Sequence, residues 1–224
     1  MTAAQTLYRF LGVRSTETSI VRLFFLHNFF LGIGNILVYV AANVILLENH
    51  PLTSLPFAYV VAALAMMAVG RIYTYYEHHL LLKRLAIRVL LAVVILTFVM
   101  GAIVWLGHSV VAAVAIMAGY RAIYLLTNLE FWGASAVVFD VRQSKRLFSI
   151  ISSGDMPAKA LGALLSVLVH AHAELFILLL IAFGAFLSAM YVFSLTVKAH
   201  VVDVAPARMQ LHRRPQPSLI RQLF

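Results

Sequence analysis

The sequence contains no cysteine, little charge and very little acid. The absence of cysteine among the 224 residues excludes a disulfide framework, a thiolate metal site and a thiol nucleophile. Charged residues make up 11% of the chain, whereas about a quarter is usual in soluble domains. Hydrophobic residues make up 63%, and the mean hydropathy is +0.96. This composition is typical of an integral membrane protein.

Six apolar runs are long enough to cross a bilayer, which takes about 20 helical residues. They are continuous rather than alternating, as membrane helices require. We place them at Leu23–Leu47, Phe57–Tyr75, Val89–Leu106, Val110–Phe139, Leu147–Val169 and Leu175–Val197. The sequence therefore predicts an all-α, polytopic membrane protein with six transmembrane helices. Residues 1–19 would form an N-terminal segment, 20–197 the bundle, and 198–224 a basic tail.

The basic residues are concentrated on one predicted side of the membrane. Of the 17 Lys and Arg residues, 15 lie before the first span, in or beside the second and fourth connections, or in the tail. By the positive-inside rule this side is the cytoplasm, so both termini are expected there. The net charge of +9 is then explained by membrane orientation, and we expect no nucleic-acid partner. Bacterial inner membrane is the expected location.

The segment DVRQSKR, residues 140–146, falls between the fourth and fifth apolar runs. Its charged side chains resist crossing the membrane, and we therefore predict a tight, basic cytoplasmic turn that anchors a hairpin.

Four ionisable residues lie inside apolar runs, where such residues usually face a partner or water. They are Arg121 and Glu130 in the fourth run and Asp155 and Lys159 in the fifth. Arg121, Tyr124 and Asn128 recur at helical spacing and share one face, whereas Glu130 lies roughly opposite Arg121. We predict that Arg121 contacts an anionic substrate. Glu130 is either a snorkelling residue or part of a gate.

Other polar residues extend this pattern to the first and fifth runs. Asp155 and Lys159 have the i,i+4 spacing of an ion pair with the acid N-terminal, and we predict a charge pair near a cytoplasmic gate. Asn28 and Asn35 share one side of the first run, and His27 lies beside them. We predict an aqueous cavity in the bundle, although intramembrane asparagines also serve as simple contacts between helices.

The sequence contains no nucleophile elbow, phosphate-binding loop or metal motif. We therefore expect no enzyme activity, no cofactor and no metal. Gly32, Gly34 and the pair Ala158 and Gly162 are typical of close helix contacts. The two glycines of the first run would also permit that helix to unwind beside a ligand.

Several motifs resemble those of the ATP/ADP translocase family, itself similar to the major facilitator superfamily. They are Phe131–Trp132–Gly133, then Ser144–Lys145–Arg146 before an apolar helix with Gly154, and Arg71–Ile72–Tyr73. The resemblance is concrete over about residues 120–160. It implies a facilitator-type half bundle and a nucleotide or other organic anion as substrate. This chain departs from the family at Tyr120 and Arg121, where an acidic residue is expected, and at Asp155 and Lys159.

Such transporters contain two six-helix bundles with the substrate between them. The chain carries one bundle, and its tail RRPQPSLIRQLF ends as a new apolar segment begins. We therefore expect the N-terminal half of a secondary transporter that works by alternating access. Its partners would be membrane lipid, a small anionic substrate and a second bundle, from the same longer chain or a homodimer. The alternative is a non-transporting scaffold that docks a cytoplasmic partner, and a ligand sensor is a third, weaker interpretation.

Overall fold

The computed structural model describes residues 13–14, 16–48, 51–106, 109–172 and 174–200. Those residues form seven α-helices and no strand. The helices are α1 (Thr18–Glu48), α2 (Pro51–His79), α3 (Leu82–Leu106), α4 (Val110–Val138), α5 (Val141–Ser152), α6 (Asp155–His172) and α7 (Leu175–His200). The first twelve residues, and the predicted tail from residue 201 onward, lie outside the described residues.

Five of these helices are long and apolar enough to cross a membrane: α1, α2 from Ser54, α3, α4 and α7 up to Ala199. The shortest has 25 residues, or about 38 Å at 1.5 Å per residue, against a hydrocarbon core of about 30 Å. The predicted all-helical membrane architecture is confirmed to this extent.

The predicted fifth span, Leu147–Val169, is not one helix. It is divided between α5 and α6 by a break at Ser153 and Gly154. In a continuous helix the Ser153 carbonyl would accept the amide hydrogen of residue 157, but that residue is proline and has none. The Met156 amide donates to Ser153 instead, at 3.3 Å. The two helices nevertheless both pack on α1, so they follow it as one discontinuous segment.

The segment DVRQSKR is also helical where a turn was predicted. Asp140 is the N-cap of α5, and Gln143 hydrogen-bonds back to the Asp140 amide at 3.1 Å. This capping box satisfies amide groups that have no partner within the helix. The connection between α4 and α5 is therefore short, and the basic residues form the first turns of α5.

The helix contacts repeat in two units of three segments. α1 packs extensively against α7, α6 and α4, while α4 packs against α2, α3 and α1, and α3 packs against α7. In this repeat α1 corresponds to α4, α2 to α5–α6 and α3 to α7. The contact of α1 with α7 then corresponds to that of α4 with α3, and the contact of α2 with α4 corresponds to that of α6 with α1. The arrangement therefore has the contact pattern of an internal repeat, with α1 and α4 equivalent at its centre.

The contact between α1 and α6 depends on small residues, as predicted. A Cβ at Gly154 would lie 2.6 Å from the Phe25 carbonyl oxygen, and one at Gly32 would lie 2.7 Å from the Ala158 Cβ. Only residues without side chains permit this approach. α1 continues as a helix through Gly32 and Gly34, so the unwinding considered for these glycines is not present. The break occurs in its neighbour.

Candidate functional site

A polar cavity lies where α1, α4 and the break between α5 and α6 meet. Its volume is about 110 Å³, which is enough for several water molecules. On α1 and α4 the surface beside it carries Tyr39, Tyr124 and Trp132, each more than 40% exposed. We call this surface the open face. The cavity is lined by Asn28, Leu31, Gly32, Asn35, Tyr124, Thr127, Asn128, Phe131, Trp132, Ser152, Asp155 and Lys159.

Four residues predicted to bind substrate are therefore together: Asn28, Asn35, Tyr124 and Asn128. Helical spacing placed Asn28 and Asn35 on one face of α1, and Tyr124 and Asn128 on one face of α4. The packing of α1 against α4 brings the two faces together. Thr127 was not predicted as a site residue, whereas Ser152 shares the polar face of Asp155 and Lys159 in the predicted fifth run. Ser152 lines the cavity because the break exposes the end of α5 to it.

The asparagine amides hold helices in place. Asn28 Nδ2 donates to the carbonyls of Ile151 and Ser152, at 3.2 and 3.0 Å. These belong to the last turn of α5, where carbonyls lose helical partners. Asn35 Nδ2 donates to the Thr127 hydroxyl at 3.1 Å, which joins α1 to α4. The amide nitrogens are thus committed to structure at this site.

Asn128 makes a local bond instead. Its Nδ2 donates to the Tyr124 carbonyl of the same helix at 2.8 Å. Because this bond fixes only the side chain's own position, Asn128 is more readily offered to a ligand than Asn28.

Asp155 and Lys159 form the predicted ion pair, with Nζ 2.5 Å from Oδ2. Asp155 lies in the first turn of α6, where the positive end of the helix dipole favours a carboxylate. The Lys159 side chain is 48% exposed and the Asp155 side chain 32%. Both line the cavity, so the pair presents one charge of each sign to whatever the cavity holds.

The structure does not place Arg121 in the cavity lining. Its guanidinium lies 5.5 Å from the ring centre of Tyr59 on α2 and 5.4 Å from that of Tyr120. Arg121 is one helical turn beyond Tyr124, away from the break, and its charge is stabilised by cation–π contacts. Lys159 supplies the cation that lines the cavity.

Glu130 also lies apart from the cavity. It is 2% exposed, and its Oε2 lies 2.9 Å from Nε2 of His27, itself 1% exposed. The structure thus does not bring Glu130 to Asp155 and Lys159, and its carboxyl group does not snorkel to the surface. In the sequence, the only sign of this partner was a histidine in another span at a similar depth. His27 lies about as far from the start of α1 as Glu130 lies from the end of α4.

An ion pair between Glu17 and Arg146 joins the residue before α1 to α5. Arg146 donates to both carboxylate oxygens of Glu17, at 2.7 and 2.8 Å, and Gln143 donates to Glu17 at 3.2 Å. Burial alone would raise the pKa of Glu17. The Arg14 amide hydrogen bond, the Arg146 charge and the side-chain hydrogen bonds outweigh it and hold that pKa below its usual value. The basic start of α5 is thereby fixed to the bundle.

Among the described residues, no group of three His, Asp or Glu side chains is placed to hold a metal ion. Comparison of the chain with protein-family models, with curated proteins and with solved structures finds no match.

Proposed function

We propose that the chain is one half of a membrane transporter, and that the cavity on the open face is its part of the substrate site. The observation that carries the proposal is the polar lining itself, with Lys159, Asp155 and Asn128 beside exposed aromatic rings. Such groups are costly against lipid, so this face requires water or protein across it. A second bundle, from the same longer chain or from a second copy, would enclose the cavity.

Two features of the fold support this function. The internal repeat with α1 and α4 at its centre is the organisation of facilitator-type half bundles, whose repeats move around a midplane site. The segment α5–α6 would be the fifth of six membrane spans, interrupted beside the cavity. Discontinuous helices next to polar sites are a recurring device of transporters, because they offer backbone groups and hinges there.

The chemistry of the cavity suggests a small, polar, organic anion as substrate. Lys159 would contact the anionic group, since its pairing with Asp155 is exposed enough to exchange for a ligand. Trp132 and Tyr124 offer flat apolar surfaces beside it. The resemblance to nucleotide transporters supports the half-bundle architecture. The negative charge of the substrate is inferred from Lys159. The basic end of the bundle would lie at the cytoplasmic surface of a bacterial inner membrane.

Single cysteines test the cavity, and the absence of native cysteine makes the labelling unambiguous. Asn35→Cys and Asn128→Cys are expected to react with a charged, membrane-impermeant thiol reagent in intact vesicles. Ala182→Cys on α7, where the native side chain is fully buried, is the matched control and should stay unlabelled. Protection of all three positions would indicate a packed core and favour the scaffold alternative.

A further inference from the structure

His27 and Glu130 join three helices in the interior of the bundle. Nε2 of His27 on α1 lies 2.9 Å from Oε2 of Glu130 on α4, and Nδ1 lies 3.0 Å from the Ala189 carbonyl oxygen on α7. The side chains are 1% and 0% exposed. Neither residue lines the cavity, so substrate contact does not explain them.

The hydrogen bonds fix the number of protons. A carbonyl oxygen only accepts, so Nδ1 of His27 must carry a hydrogen. The contact between Nε2 and Oε2 then needs one more, either on the imidazole or on the carboxyl group. In both arrangements the pair is neutral overall and holds one exchangeable proton between the two side chains.

The surroundings favour the proton on Glu130. The Phe131 ring stacks 6.4 Å from the imidazole, and the Phe193 ring lies 5.3 Å from it. Oε1 of Glu130 has no hydrogen-bond partner among the described residues. An imidazolium and a carboxylate in an apolar shell are costly, because two charges are buried and one carboxylate oxygen stays bare, whereas a carboxylic acid that donates to a neutral imidazole buries no charge.

Among the described residues, few other titratable groups act on this pair. Tyr73 on α2 is within electrostatic range of Glu130. α7 contributes the Ala189 carbonyl and the Phe193 ring. Asp155 and Lys159 pair with each other beside the cavity. The proton on Glu130 therefore depends chiefly on His27 and on the packing of α1 against α4.

We propose that His27 and Glu130 form a proton-binding site, with Glu130 as the protonated partner, and that separation of α1 from α4 admits water from the cavity, which solvates the carboxylate and takes up the released proton. The same two helices carry the cavity: Asn28 follows His27, and Phe131 follows Glu130. A movement that reshapes the cavity would therefore also stretch the Nε2–Oε2 contact. This inference rests on the proposed function and adds the proton as its coupling ion.

Infrared spectroscopy of the full chain in phosphatidylcholine vesicles tests the proton directly. At neutral pH the wild type should show the C=O stretch of a protonated carboxyl group, lost in Glu130→Gln and retained in the control Glu48→Gln. Glu48 is an exposed residue at the end of α1. If Glu130→Gln leaves that spectral region unchanged, Glu130 is ionised and the proposal is overturned.

His27→Gln provides a second test that does not require the glutamate to be changed. Glutamine offers a weaker acceptor than imidazole, so the carboxyl band should move to higher frequency. An unmoved band would show that the proton is not shared with His27.

The link to the cavity is tested by labelling Asn35→Cys across a pH series, normalised to a free thiol. The labelling rate should change with pH in the wild-type background, and Glu130→Gln should remove that change. Identical profiles in both backgrounds would overturn the coupling. If Asn35→Cys is unlabelled at every pH, the transporter proposal fails, while the infrared test of the proton site still stands.

Discussion

The two acid–base pairs near the middle of the bundle are opposites in construction. Asp155 and Lys159 are neighbours on one helix, partly exposed and in contact with the cavity. Glu130 and His27 are 103 residues apart, come from two helices and are almost fully buried. The first pair can exchange its partners for a ligand or water. The second can change only if helices move, so it reports on the conformation of the bundle.

The largest expected effect is on the buried pair. His27→Leu leaves Glu130 without an acceptor in an apolar site, and we expect a loss of about 3 kcal/mol in the free energy of unfolding. His27→Leu combined with Glu130→Leu should recover most of it, because no polar group is then stranded. Equilibrium unfolding in mixed detergent measures both. If the double variant is as unstable as the single, the pair is not an isolated unit.

The next largest effect is expected at the break between α5 and α6. Asn28→Ala removes both hydrogen bonds to the end of α5, and we expect a loss of about 2 kcal/mol. Asn128→Ala is the matched control on α4, since it loses only a bond within its own helix and should cost about 0.5 kcal/mol. The same unfolding measurement compares them, and equal losses would contradict the capping role of Asn28.

The ion pair at the start of α1 predicts a pH dependence. Because the folded-state pKa of Glu17 lies below its usual value of 4.5, its contribution to stability is present above that value and is lost as the pH falls through the folded-state pKa. Arg146→Gln should remove about 1 kcal/mol at neutral pH and flatten the acid limb of a Tm–pH profile. Arg142→Gln, at an exposed position on the same helix, should leave that limb unchanged.

The smallest effect on stability is expected at the partly exposed pair of Asp155 and Lys159, the open pair. Lys159→Gln should change the free energy of unfolding by less than about 0.5 kcal/mol, because a half-exposed i,i+4 pair is largely compensated by water. A loss as large as that of His27→Leu would show that the open pair is structural. Both pairs would then contribute to the stability of the fold.

Much of the fold could be predicted because long apolar runs specify membrane helices directly. Helical spacing also identified the cavity face, since Asn28 and Asn35 on α1 and Asn128 on α4 each keep to one stripe. The break in the fifth span was missed, because hydropathy over Leu147–Val169 does not register that Pro157 removes one donor or that Gly154 allows α1 to approach.

The sequence could not predict which side chains would pair between helices. Arg121 lies on the predicted stripe, but the tyrosine of α2 decides where its guanidinium rests. Glu130 could be recognised as an anomaly, whereas its pairing with His27 depends on α1, α4 and α7 meeting at one depth. Helical periodicity describes one helix at a time, and these contacts arise from the packing of several.

Water or protein, rather than lipid, should cover the open face, and Trp132 reports on this cover directly. The chain has two tryptophans, so Trp105→Phe leaves Trp132 as the only tryptophan fluorophore. Its emission should be quenched strongly by acrylamide in the aqueous phase and weakly by brominated lipid. Stronger quenching by the lipid would place the open face against the bilayer and contradict the transporter account.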